Sequence, residues 1–154
     1  MNIDITNIKP LVDEIVNLYR EELSSQHIDA SGNLSSTLTS DIEIDDNRLR
    51  IYFNLEEYWK YVEYGRRAGK RPPIQAIEKW ITIKPIIPQP YNNHIPTTKQ
   101  LAYLIARKIG RDGIKGKYPL SKTLYSDRVE FILSEIRKLI IAQINNEISD
   151  VIPQ

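Results

Sequence analysis

The sequence contains no cysteine, and this removes disulfides, thiolate metal sites and cysteine nucleophiles at once. The absence is compatible with synthesis in a reducing cytosol. Only two histidines occur, His27 and His94, both in segments that read as loops. No HExxH, His-x3-His or alternating Asp loop accompanies them, so no metal site is expected. Nothing in the spacing brings a histidine pair together with a carboxylate for acid–base or nucleophilic work. No apolar run approaches the ~20 residues of a membrane span. The N-terminus, MNIDITNIKP, lacks the basic region and apolar stretch of a signal peptide, so the mature protein is expected to be the whole chain. The expectation is a protein that is not an enzyme, with no cofactor, no small-molecule substrate and no membrane partner.

What is present is an ordinary soluble composition, 41% apolar and 27% charged, over 154 residues. That predicts a single domain, 1–154, with enough chain to bury a core. The net charge of +1 conceals a segregation. Residues 1–57 carry 4 Lys/Arg against 12 Asp/Glu, residues 58–122 carry 14 against 3, and residues 123–154 carry 3 against 5. A net −8 block therefore precedes a net +11 block. Such asymmetry serves polyanion binding, docking of unlike surfaces on neighbouring subunits, or neutralisation inside one fold.

Hydrophobic periodicity supplies the elements. Ile8, Leu11, Val12, Ile15, Leu18, Tyr19 and Leu23 fall at helical spacing, with Asn7 as N-cap, Pro10 in the first turn and an end near Ser25. From Leu34 the period becomes two. Leu34, Leu38, Ile42 and Ile44 share one parity, Asp45-Asp46-Asn47 reads as a turn, and Leu49, Ile51 and Phe53 alternate beyond it. This predicts a small antiparallel β-hairpin over about 34–54, covered by the Leu11 and Leu23 face of the first helix. EEYWKYVEYG reads as a short helix stopped by Gly65, and Pro73 opens a helix with Ile74, Ile77 and Ile81 inward. Residues 84–96, with Pro85, Pro88, Pro90 and Pro96, form a proline-rich loop. Thr97 or Thr98 caps a helix built on Leu101, Ala102, Leu104, Ile105 and Ile109, ending around Gly110–Gly113. Residues 114–124 read as a basic connection. Val129, Ile132, Leu133, Ile136, Leu139, Ile140, Ile144 and Ile148 then trace a long helix from about Asp127 to Ile148. The fold class is α+β: a small antiparallel sheet packed by an N-terminal helix, two or three middle helices and a long C-terminal helix.

Two glycine-rich stretches resemble phosphate cradles without meeting their requirements. Gly65-Arg-Arg-Ala-Gly69-Lys70 spaces its glycines one residue too closely for a P-loop and continues with Arg71 where Ser or Thr is needed. Gly116-Lys117 continues with Tyr118. Gly110-Arg-Asp-Gly113 is similar to the GxxG turn of the KH nucleic-acid-binding module, but Gly116 and Pro119 oppose the helix that must follow it.

The densest stretch is YWKYVEYGRRAGKRPPIQAIEKWI, residues 58–81, where Tyr, Trp and Arg gather as they do at interface hot spots. Tyr61-Val62-Glu63-Tyr64-Gly65, the basic loop, Pro72-Pro73, Ile77 and Trp80 resemble the pattern of tail-completion and neck proteins of tailed bacteriophages, which join the portal end of the capsid to the tail. Leu101-Ala-Tyr-Leu-Ile-Ala-Arg-Lys-Ile109 followed by Gly113 resembles a second block of that family. Together the blocks cover about residues 58–116. Many of those proteins carry Thr after the first glycine, where this chain has Arg66. The proline loop and the long last helix lie outside the match.

The resemblance implies an α+β subunit of a homo-oligomeric ring in the virion neck or tail, made in the host cytoplasm. Its partners would be further copies of itself and other neck, portal or tail proteins, with non-specific proximity to packaged DNA and no catalysis. In a head-to-tail ring the acidic block of one subunit can face the basic block of the next. The candidate interface residues are Tyr61, Glu63, Tyr64, Arg66, Arg67, Lys70 and Arg71. The rival reading is a nucleic-acid-binding module using Arg66, Arg67, Lys70, Arg71 and the cations of 108–117, with tyrosines for base stacking.

Overall fold

The computed structural model describes residues 4–28, 32–45, 48–90 and 94–151. The fold is α+β. Helix α1 (Lys9–Ser25) is followed by a single turn, α2 (Asn33–Ser36), and by strands β1 (Thr39–Asp45) and β2 (Arg48–Asn54). Then come α3 (Trp59–Tyr64), β3 (Gly65–Arg66), α4 (Ile74–Ile83), α5 (Thr98–Asp112), β4 (Ile114–Lys115), α6 (Pro119–Leu124) and α7 (Asp127–Val151).

Helix α1 is the packing axis. Its N-cap Ile8 and its residues Val12 and Ile15 meet Val129, Ile132 and Ile136 of α7 in one buried cluster, closed from the side by Ile42, Leu49, Ile51 and Phe53 of the hairpin. Further along, Val16, Tyr19 and Leu23 join Leu34 and Leu38 in a second cluster, flanked by Leu55, Trp59, Val62 and Leu120. Two stripes of one helix thus serve two sides of the molecule, which is why its apolar pattern is broad.

The hairpin register sets Ile42 opposite Ile51 and Ile44 opposite Leu49, so the two apolar parities share the inner face. Its outer face satisfies itself. Arg50 pairs with Glu43 at 3.5 Å and with Asp45 at 3.3 Å, while Tyr52 donates to Glu43 at 2.6 Å. The strand begins at Thr39, not at Leu34. Asn33-Leu-Ser-Ser36 closes a helical turn instead, with Leu34 inward and the guanidinium of Arg20 donating to the carbonyls of Ser35 and Leu38. Serine-rich sequence has no strong strand preference, and this bond from α1 decides the local geometry. The predicted turn residues Asp46 and Asn47 lie outside the described residues.

The remaining helices follow their signals, with two additions. Thr97 and Gln100 form a reciprocal capping box at the start of α5, and Gly113 ends it. Ala102 and Ala106 are buried one turn apart on α5, where α4 packs with Ile81 inward. Helix α7 runs to Val151, slightly past the expected end. The stretch expected to be a plain basic connection, 114–124, holds strand β4 and helix α6. No helix of the described residues is long and apolar enough to cross a membrane.

Candidate assembly surface

The two blocks that stood out in the sequence are one structural unit. Strand β3 pairs antiparallel with β4, placing Gly65 opposite Lys115 and Arg66 opposite Ile114. On one side of this ladder Gly69 N–H donates to the Gly110 carbonyl at 2.7 Å. On the other, Lys117 N–H donates to Val62 O at 3.1 Å and Tyr118 N–H to Glu63 O at 3.2 Å. The ladder and three further main-chain hydrogen bonds therefore lace the 62–69 segment to 110–118.

Only glycine permits so close an approach. A Cβ on Gly65 would stand 2.1 Å from the Ile114 carbonyl oxygen, and one on Gly113 would stand 2.3 Å from Arg66 O. Both residues also take positive φ, +76° and +72°. Gly116 is equally enclosed, with Glu63 O 2.2 Å from its Cβ position. Gly65 of the basic loop and Gly113 of the GxxG turn thus serve backbone-to-backbone packing, whereas the Cβ position of Gly69 is open. Gly110 lies in the last turn of α5 and Gly113 leads into a strand, so this GxxG does not join two helices as the KH geometry requires.

Glu63 corrects the set of candidate interface residues. It is 1% exposed, and its carboxylate faces inward from α3 to the start of α6. One oxygen accepts the Leu120 N–H at 2.9 Å, and the other accepts the Ser121 N–H at 3.0 Å and the Ser121 hydroxyl. A buried carboxylate persists where donors meet its lone pairs, and this one caps the orphan N–H groups of a helix that starts with proline. The signal lay in the spacing: Trp59, Val62 and Glu63 fall on one helical face, and the first two pack in the core.

The other six candidates are placed as follows. Tyr61 and Tyr64 are 63% and 64% exposed. Tyr64 is held edge-on against Tyr118, ring centroids 6.4 Å apart, and tilted against Trp59 at 6.1 Å. The Arg66 guanidinium donates to the Lys70 carbonyl at 2.8 Å and closes the basic loop on itself. Arg67 and Lys70 are exposed with no ion-pair partner among the described residues, and Arg71 lies over the Tyr103 ring at 5.9 Å.

Among the described residues, ion pairs neutralise little of the charge segregation. Of the fourteen cations of 58–122, only Arg111 and Lys122 form ion pairs among the described residues. Arg111 pairs with its neighbour Asp112, whose carboxyl is held below its ordinary range by the Arg111 hydrogen bond. Lys122 reaches Glu22 of the acidic block at 3.9 Å. Lys84 and Lys117 donate to the carbonyls of His27 and Gln26, where the backbone dipoles of α1 leave partial negative charge. Glu21 and Glu57 remain exposed without an ion-pair partner among the described residues. His27 sits in the turn after α1, and His94 lines a groove beside α5, so the two histidines belong to different features.

Comparison of the chain with models of known protein families, with curated proteins and with solved structures returned no match.

Proposed function

We propose that this chain is a virion structural protein: one subunit of a homo-oligomeric ring in the neck or tail of a tailed bacteriophage, joining the portal end of the capsid to the tail. The observation that carries the reading is a rigidly mounted, unneutralised basic surface. Arg67, Lys70 and Arg71 are presented with Tyr61 and Tyr64 on a backbone laced by glycine contacts, and among the described residues no carboxylate pairs with these cations. Exposed Tyr and Arg on a rigid support are what protein interfaces use as anchors, because little conformational entropy is lost on docking. Glu21 and Glu57, exposed and without an ion-pair partner among the described residues, offer the complementary charge on another subunit. Motifs in 58–81 and 101–113 that resemble the neck family coincide with this junction. The role calls for no catalysis and no cofactor, and places the protein in the virion after synthesis in the host cytoplasm.

The test is the assembly state of the purified chain, by light scattering and negative-stain microscopy, alongside titration of labelled duplex DNA at two salt concentrations. Rings or stacked oligomers without tight DNA binding support the proposal. A monomer at high concentration that binds DNA with a steep salt dependence overturns it in favour of a nucleic-acid-binding module built on the same cations.

A further inference from the structure

The second half of α7 is less engaged by the core than the first half. The first half buries Val129, Ile132 and Ile136, and Leu139 and Ile140 lean on the same cluster. Gln143 then ties the helix to the start of the chain, accepting from Asp4 N–H at 2.8 Å and donating to Asp4 O at 2.9 Å. Ile141, Ile144 and Ile148 still repeat at i, i+3 and i+7, yet Ile141 is 57% and Ile148 51% exposed. Residues 139–154 include Glu147 and Asp150 and contain no Lys or Arg.

Elsewhere lies an apolar groove of about 540 Å³ beside α4 and α5, lined by Ile74, His94, Pro96, Lys99, Tyr103 and Leu104 among others. Its walls are aliphatic and aromatic, with Leu104 51% exposed. Its rim is cationic: Lys99 lines it, and Arg71 lies over the Tyr103 ring. Helix α7 packs chiefly on α1 and α6, and α4 packs on α5, so stripe and groove belong to elements that share no extensive interface.

We infer that the Ile141–Ile144–Ile148 stripe of one subunit docks into the α4–α5 groove of a second copy of this chain. The inference rests on the ring reading above and supplies it with a contact. Apolar anchors at i, i+3 and i+7 entering an apolar groove are a recurrent mode of helix recognition. The acidic tail meets the cationic rim, whereas two α7 tails pairing together would juxtapose like charges and leave the groove open. Donor and acceptor surfaces differ, so every subunit can give and receive. That is the heterologous geometry from which rings are closed.

The cysteine-free chain allows a direct test with Leu104→Cys and Ile148→Cys, both at exposed positions, prepared as full-length proteins and checked for unchanged helicity. Under mild oxidation the mixture of the two single variants should form a disulfide-linked dimer several-fold faster than either alone. The double variant should form a ladder of linked oligomers. Equal cross-linking by Ile148→Cys alone would overturn the inference in favour of tail-to-tail pairing. No cross-link in a preparation that light scattering shows to be oligomeric would overturn this contact while leaving the ring reading intact. No cross-link in a preparation that stays monomeric would overturn both.

Discussion

The carboxylate of Glu63 accepts the backbone N–H of Leu120 at 2.9 Å across 57 residues of sequence. With Ser121 supplying two further donors, α3 holds the first turn of α6, and α6 in turn lies against α1. Glu63→Ala leaves part-buried N–H groups without this acceptor and is expected to cost about 2–4 kcal/mol. For a chain of this size that lowers Tm by roughly 4–16 °C at about 2–4 °C per kcal/mol. Glu63→Gln keeps the shape but turns a donor toward N–H groups, and should recover only part of the loss. Thermal unfolding of the two variants decides this. A cost under about 0.5 kcal/mol, the range of ordinary surface substitutions, would contradict the internal role.

Three glycine substitutions separate dihedral strain from steric exclusion. Gly32 takes φ +73° with nothing within 4 Å of its Cβ position, so Gly32→Ala carries the left-handed penalty alone, about 1–2 kcal/mol. Gly116 has no positive φ but meets Glu63 O at 2.2 Å and Tyr64 C at 2.7 Å, both main-chain atoms that cannot rotate aside. Gly116→Ala is therefore expected at the upper end of the overpacking range of about 1–3 kcal/mol. Gly65 combines both effects, and Gly65→Ala should be the most damaging of the three. Denaturant unfolding gives the order Gly32, Gly116, Gly65 by increasing cost, and any order that ranks Gly32 last contradicts the backbone lacing.

Periodicity made α1, the hairpin register, the α5 cap and α7 readable in the sequence, because each depends on neighbours within a few residues. Ile42 with Ile51 and Thr97 with Gln100 are instances. The junction was less legible. Gly65 and Ile114 touch only in the folded chain, so their glycines read as loop punctuation when they are packing requirements. Pro119 and Gly116 argued against helix in 114–124, yet proline is well suited to a first helical turn, and Glu63 caps the turn from a distance. The face of α3 that turns inward was encoded in the Trp59, Val62, Glu63 spacing. A glutamate at the third position of that pattern reads as solvated until its donors are known.

On the outer face of the hairpin, the hydrogen bond to the Glu43 carboxylate raises the Tyr52 phenol above its ordinary value near 10, and the Glu43 charge acts in the same direction. The fold favours the protonated phenol. Its contribution is complete below the ordinary phenol value and is lost as pH rises through the raised one. Both groups are exposed, so the effect on stability is small and the titration itself is the sharper observable. NMR titration of the Tyr52 ring should show ionisation above that of a free tyrosine, and Glu43→Gln should bring it back toward that value. An unchanged midpoint in the variant would show that the bond does not persist in solution.

Arg67 and Lys70 provide the test of the charged half of the proposed interface. Both are exposed and have no carboxylate partner among the described residues, so Arg67→Glu with Lys70→Glu should leave folding stability within about 0.5 kcal/mol. Subunit association should weaken, because like charges would then face the acidic block of the neighbour. Raising salt should weaken association of the unmodified chain in the same direction, since the screening length falls from about 8 Å at physiological ionic strength to about 3 Å at 1 M. The apolar contact of the α7 tail responds differently, as salt does not screen burial of Ile141 and Ile148. Light scattering across a salt series therefore resolves a salt-sensitive part, weakened by the reversals, and a salt-resistant remainder removed by Ile148→Asp. Assembly that is indifferent to both the reversals and salt would place the contact surface away from the 66–71 loop.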